Sequence, residues 1–232
     1  MLQQLVKSAA AAALLAGTLQ AADVKVKVVN LTSGNYFTPL LVAAHPDTAA
    51  LFEFGSAASL SLQKMAEGGD ISGLSDDLAA VGAYIVANPA GGLLEPGHSV
   101  TAALTADHSN NSLSIAAMIL PTNDGFIALN GWTIPKKPGS YHLYLNAYDA
   151  GTEANDEIIV PGAGAPGDPG IPADPGGFGG TGASGLADTP EGFVHIHRGV
   201  LGDQDPTGGV SDLNSSVHRW LNPIAEVIVT VK

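Results

Sequence analysis

The chain has 232 residues, 45% of them hydrophobic and 13% charged, so it can form a substantial core and is not a disordered acidic chain. With 9 basic and 22 acidic residues, the net charge of −13 argues against nucleic acid and anionic membranes as partners and leaves cations as natural ligands. The absence of cysteine excludes thiol catalysis, cysteine-based zinc sites and iron–sulfur clusters.

The first residues have the pattern of a signal peptide. Lys7 precedes an apolar run over residues 8–17, and two small residues, Ala21 and Ala22, come just before Asp23. The run is too short to span a bilayer, and no second run follows it. We therefore predict a signal peptide over residues 1–22 and a secreted or periplasmic protein without a membrane span. Without disulfides, the exported part must rely on its core or on bound metal.

Strand patterns occupy both ends of the remaining chain. Apolar and polar residues alternate over residues 23–30 and again over residues 224–232. Further candidates, each bounded by Gly, Pro, Asn or Asp, cover residues 99–106, 112–120, 126–130, 141–147 and 193–197. This spacing predicts an all-β fold, a sandwich or barrel that closes on itself as one domain over residues 23–232.

Two stretches interrupt the strand pattern. Residues 59–67, which end at Gly68-Gly69, and residues 74–83, with Leu74, Leu78 and Val81 at helical spacing, predict short helices in a long connection between strands. Residues 161–190 are rich in Gly and Pro without a triplet period, which predicts a flexible insertion within the domain rather than collagen.

Two acidic clusters follow predicted strands and are candidates for a Ca²⁺ site. Asp149 and Glu153 flank Gly151, which allows a sharp turn, and Asp124 follows a different strand. Asn155 and Asp156 are weaker candidates in the same loop. Ca²⁺ prefers several carboxylate and carbonyl oxygens supplied by loops. The alternative is that these Asp and Asn residues form turns by bonding their own backbone.

Five runs of sequence resemble the spondin N-terminal domain family in its bacterial branch. In chain order they are residues 30–39 (NLTSGNYFTP), 51–55 (LFEFG), 121–126 (PTNDGF), 148–153 (YDAGTE) and 194–199 (VHIHRG). The resemblance implies an antiparallel β-sandwich related to C2 domains, with a Ca²⁺ site on loops at one end. It also implies that Asp149 and Glu153 are ligands from one loop and that Asp124 lies near the site.

The chain departs from the animal members of that family. Glu153 stands where they have a second Asp, Gly125 where they have Trp, and the chain has neither cysteines nor thrombospondin-type repeats. The adhesive roles of the animal proteins are therefore not transferred. The resemblance supports a more general function, an exported calcium-binding module that interacts with an unknown protein or glycan on a cell surface or matrix.

His195 and His197 alternate on a predicted strand, so they share one face, and His218 is a third candidate nearby. Such a pair can hold Zn²⁺, Cu²⁺ or Fe. This gives the alternative function of a periplasmic transition-metal-binding protein or a redox enzyme. The structural alternative is that these histidines bond to neighbouring loops.

The sequence has no Gly-x-Ser-x-Gly elbow, no P-loop and no His-Glu-x-x-His, and no Gly-x-Gly-x-x-Gly run that follows a predicted strand and opens a predicted helix. We therefore predict that the protein is not an enzyme.

Overall fold

The computed structural model describes residues 21–232, so the predicted signal peptide lies outside the described residues apart from its last two. Over that range the chain forms eleven strands and two helices. The strands are β1 (Ala22–Asn30), β2 (Tyr36–Phe37), β3 (Leu41–His45), β4 (Tyr84–Ala87), β5 (Ser99–Ala106), β6 (Ser112–Leu120), β7 (Gly125–Thr133), β8 (Gly139–Leu145), β9 (Ala147–Asp149), β10 (His195–Ile196) and β11 (Ala225–Val231). The helices are α1 (Leu60–Gly68) and α2 (Ser72–Ala80).

The strands form two antiparallel sheets. The first has the order β5-β1-β11-β8, and the second has the order β10-β9-β7-β6-β3-β4, with β2 paired to β6. The two terminal strands lie side by side, with Val24 opposite Val231. This arrangement confirms the predicted antiparallel β-sandwich.

The two faces of β6 belong to two different cores. Ile115, Ala117 and Ile119 face the first sheet, where they meet the alternating valines of β1 and β11. Ala116 and Met118 face the opposite way and pack under the helices. All nine residues of β6 are therefore buried. Each large apolar side chain buried there contributes roughly 1.5–3 kcal/mol to stability.

Both predicted helices are present, between β3 and β4. The Ser59 hydroxyl caps α1 by accepting a hydrogen bond of 3.1 Å from the amide of Leu62, and Gly69 ends the helix at a left-handed φ of 72°. Their apolar faces, which include Leu62, Met65 and Leu78, cover the outer side of the seven-stranded sheet.

The Gly/Pro-rich residues 161–190 form neither helix nor strand but contact the sandwich. An isolated bridge joins Ile159 to Ile171, and Ile171 is fully buried. Gly164 lies so close to Gly68 at the end of α1 that a Cβ at Gly68 would clash with the Gly164 carbonyl. The flexibility of this segment stays a prediction.

Candidate metal centre

The candidate site lies at one end of the seven-stranded sheet, where β9 and β10 meet the turn between β6 and β7. Asp149, the last residue of β9, pairs with Gly125 of β7 on one side and with His195 of β10 on the other. Asp124 directly precedes Gly125, and its carbonyl accepts a hydrogen bond of 3.2 Å from the amide of Ala150. Strand register therefore brings Asp124, Asp149 and His195 together.

Asp149, Glu191 and His195 form a group that can hold a metal ion, because each offers a ligand atom within 4.8 Å of the other two. His195 Nε2 lies 3.6 Å from Asp149 Oδ1 and 3.9 Å from Glu191 Oε2. Both distances exceed a hydrogen bond, and His195 Nε2 has no other hydrogen-bond partner among the described residues. No hydrogen bond therefore links His195 Nε2 to either carboxylate, although the three side chains lie close together.

The ring of His195 is oriented as a metal ligand would be. Its Nδ1 lies 2.9 Å from the carbonyl oxygen of Ile196, and a carbonyl only accepts, so Nδ1 carries the proton of the neutral ring. The lone pair is then on Nε2, which faces the two carboxylates. A backbone partner on the far nitrogen is the usual way that proteins fix such a tautomer.

Asp124 adds a fully buried carboxyl beside this group. Its Oδ2 accepts hydrogen bonds from the amides of Thr152 and Glu153 at 2.7 and 3.1 Å, whereas its Oδ1 is buried without a partner. Burial, together with the negative charge of Asp149, raises the pKa of Asp124 to about 8. Without a cation, the protein environment therefore opposes ionisation of this carboxyl.

Contacts around the group fix its acidic side chains. The Asn155 amide nitrogen donates to Asp149 Oδ2 at 2.8 Å and to Glu191 Oε1 at 3.2 Å. Gly151 has a φ of 67°, and a Cβ there would lie 2.7 Å from the backbone nitrogen of Phe193. Only glycine allows this close approach, which holds the segment carrying Glu191 against the loop that follows Asp149.

Two of the predicted ligands lie apart from this group. Glu153 Oε2 accepts a hydrogen bond of 2.9 Å from the Gly170 amide, and burial raises the pKa of Glu153 to about 7. Asp156 Oδ1 accepts from Asn123 Nδ2 and from the Ile158 amide. The side chains of Glu153 and Asp156 therefore bond to other loop residues, Asn123, Ile158 and Gly170, and do not belong to the group around Asp149.

His195 and His197 both lie beside Asp149, but only His195 presents a lone pair to it. His197 Nδ1 accepts a hydrogen bond from the Gly199 amide, and its Nε2 lies 3.9 Å from Asp149 Oδ2. Burial, with smaller contributions from His195 and Arg198, lowers the pKa of His197 to about 3. The neutral ring therefore carries its proton on Nε2, facing Asp149, and lacks a free lone pair there. His218 lies elsewhere, with Nε2 3.4 Å from Asp174.

A family-model comparison decides the classification. The model described as Spondin_N matches residues 30–162, more than half of the chain. The chain belongs to the Spondin_N family. Membership favours an extracellular-type module. A search of curated proteins returned no match.

The spondin match covers only part of the candidate site. It includes Asp124 and Asp149 but ends before Glu191 and His195. These two residues reach the site because β10, which follows the Gly/Pro-rich segment, pairs with β9. No motif in the sequence marks Glu191, which is a single acidic residue in an irregular loop. Among residues 21–232, no helix has the length and apolarity needed to cross a membrane.

Proposed function

We propose that the protein is an exported, non-catalytic binding module in which a bound Ca²⁺ ion stabilises the loops at one end of the sandwich. The bound ion would hold those loops in the shape that a protein or glycan partner recognises outside the cytoplasm. The observation that supports this proposal is the convergence of Asp149, Glu191 and His195 beside the unpaired buried oxygen of Asp124.

The charges favour a hard dication. Asp124, Asp149 and Glu191 come from three separate chain segments, and one oxygen of Asp124 is buried without a hydrogen-bond donor. Carboxylate oxygens from loops are the ligands that Ca²⁺ prefers. An ion bound to all three would stabilise the folded loops, because the unfolded chain cannot assemble the site.

Calorimetric titration of residues 23–232 with Ca²⁺ tests this ligand set, with Glu191→Gln as the main variant. We expect Glu191→Gln to weaken Ca²⁺ binding roughly tenfold or more, because it removes a charged ligand. Glu153→Gln is the matched control and is expected to bind like the wild type, since Glu153 bonds to Gly170 instead. The reverse ranking of the two variants would refute the site proposed here.

A second candidate, a transition-metal site, is favoured by the lone pair of His195 Nε2. Imidazole together with carboxylates suits Mn²⁺, Fe²⁺ or Zn²⁺. If one of these is the working ion, His195→Gln is expected to reduce Zn²⁺ affinity roughly tenfold or more and to affect Ca²⁺ less. His108→Gln, on an exposed turn, is the control for unspecific histidine binding. Equal Zn²⁺ affinity in wild type and His195→Gln would exclude this second candidate.

A further inference from the structure

The side chains proposed as ligands of the cation are buried to different extents. The side chain of Asp149 is 2% exposed, whereas those of His195 and Glu191 are 27% and 30% exposed. His195 Nε2 itself is buried, so a cation among these side chains would be covered by protein on the Asp149 and His195 sides and accessible to solvent beside Glu191. Ca²⁺ takes roughly six to eight oxygen ligands, so these side chains leave positions for other ligands.

We infer, on the basis of the proposed function, that these open positions take an acidic side chain of a protein partner, with the cation as the bridge. The carboxylates of this chain alone would repel an acidic partner. The cation reverses that local interaction, and a carboxylate is a ligand that Ca²⁺ accepts readily. Binding of such a partner would then require the ion.

The surroundings of the open side favour a protein over a membrane. Phe193 is 43% exposed, and its ring lies 5.3 Å from the ring of His195. An exposed aromatic side chain beside a polar centre is typical of protein interfaces. The net charge of −13 opposes approach to an anionic membrane.

Terbium luminescence tests the open positions directly. Tb³⁺ replaces Ca²⁺ at oxygen-rich sites, and its emission lifetimes in H₂O and D₂O count the water molecules bound to the ion. We expect Tb³⁺ bound to the wild-type protein to keep about two or more waters. Acetyl-Leu-Asp-Leu-amide should displace at least one of them, acetyl-Leu-Asn-Leu-amide should displace none, and acetyl-Gly-Asp-Gly-amide should require a several-fold higher concentration.

The possible failures are distinguishable. Tb³⁺ bound without water, or equal water counts with the Asp and Asn peptides, would overturn the bridging inference and leave the cation site intact. Equal potency of the Leu-flanked and Gly-flanked Asp peptides would overturn the apolar contribution. Ca²⁺-dependent sedimentation with phosphatidylserine vesicles that is lost in Asp149→Asn would assign the open side to a membrane instead. The absence of both Tb³⁺ and Ca²⁺ binding would overturn the proposed function itself.

Discussion

Asp149→Asn is expected to abolish the stabilisation of the protein by Ca²⁺. At a free Ca²⁺ concentration one hundred times Kd, the wild type should gain about 2.7 kcal/mol in free energy of unfolding. The variant should gain essentially none, because Asp149 pairs with His195 on one side and with Gly125, next to Asp124, on the other, and it is more buried than His195 and Glu191. Chemical denaturation with Ca²⁺ and with chelator measures the difference.

The comparison in chelator shows whether the variant is folded. The side-chain amide introduced by Asp149→Asn would retain an oxygen that accepts the bond from Gly151 but would lose the acceptor for the Asn155 amide nitrogen, so the variant in chelator is expected to be folded and about 1–3 kcal/mol less stable than the wild type. Asp47→Asn makes the same change on an exposed turn and should keep the full Ca²⁺ effect. A folded Asp149→Asn protein that gains as much stability from Ca²⁺ as the wild type would contradict the prediction.

Glu153→Gln is expected to stabilise the protein above neutral pH. Burial raises the pKa of Glu153 from its ordinary value of 4.5 to about 7, so the folded protein favours the neutral carboxyl. The resulting stabilisation is fully present below pH 4.5 and is lost as the pH rises through 7. The variant stays neutral, and its oxygen can still accept from Gly170. Between pH 4 and pH 8, its stability should therefore rise relative to the wild type by roughly 1–3 kcal/mol, since partial access of solvent reduces the full effect.

Chevron or equilibrium denaturation at both pH values, in chelator, provides this measurement. Glu53→Gln removes the same charge from an exposed loop and controls for the general effect of charge. The free energies of unfolding of Glu153→Gln and Glu53→Gln are each compared with that of the wild type. If the two differences are equal at pH 4 and again at pH 8, Glu153 is not the buried carboxyl described here.

Periodicity was sufficient to predict the strands that are exposed on one face. β1 and β11 alternate between buried and accessible residues, and their bounds match the sequence pattern closely. It missed β3, because Leu41–His45 is buried on both faces and is only five residues long, so no alternation marks it. The two-residue β2 and the short β4 carry even less pattern.

The sequence was sufficient to predict where the site lies in the fold, but it predicted only some of the residues that form it. Asp124 directly precedes β7 and Asp149 ends β9, and these two strands are neighbours, so their convergence depends on strand ends that the sequence marks. The direction of Glu153 depends on hydrogen bonds from the Gly170 amide and the Asn123 side chain, and the position of Glu191 depends on the close contact between Gly151 and Phe193. Such contacts between irregular loops leave no periodic signal in a sequence.

Asp149, Glu191 and His195 are proposed to surround a divalent cation, and anomalous diffraction would locate that cation without relying on variants. Crystals of residues 23–232 grown with Mn²⁺ would be measured at the manganese absorption edge. We predict an anomalous peak about 2.0–2.6 Å from oxygens of Asp149 and Glu191 and from His195 Nε2. No peak at these three side chains, or a peak only beside Glu153 and Asp156, would contradict the claim.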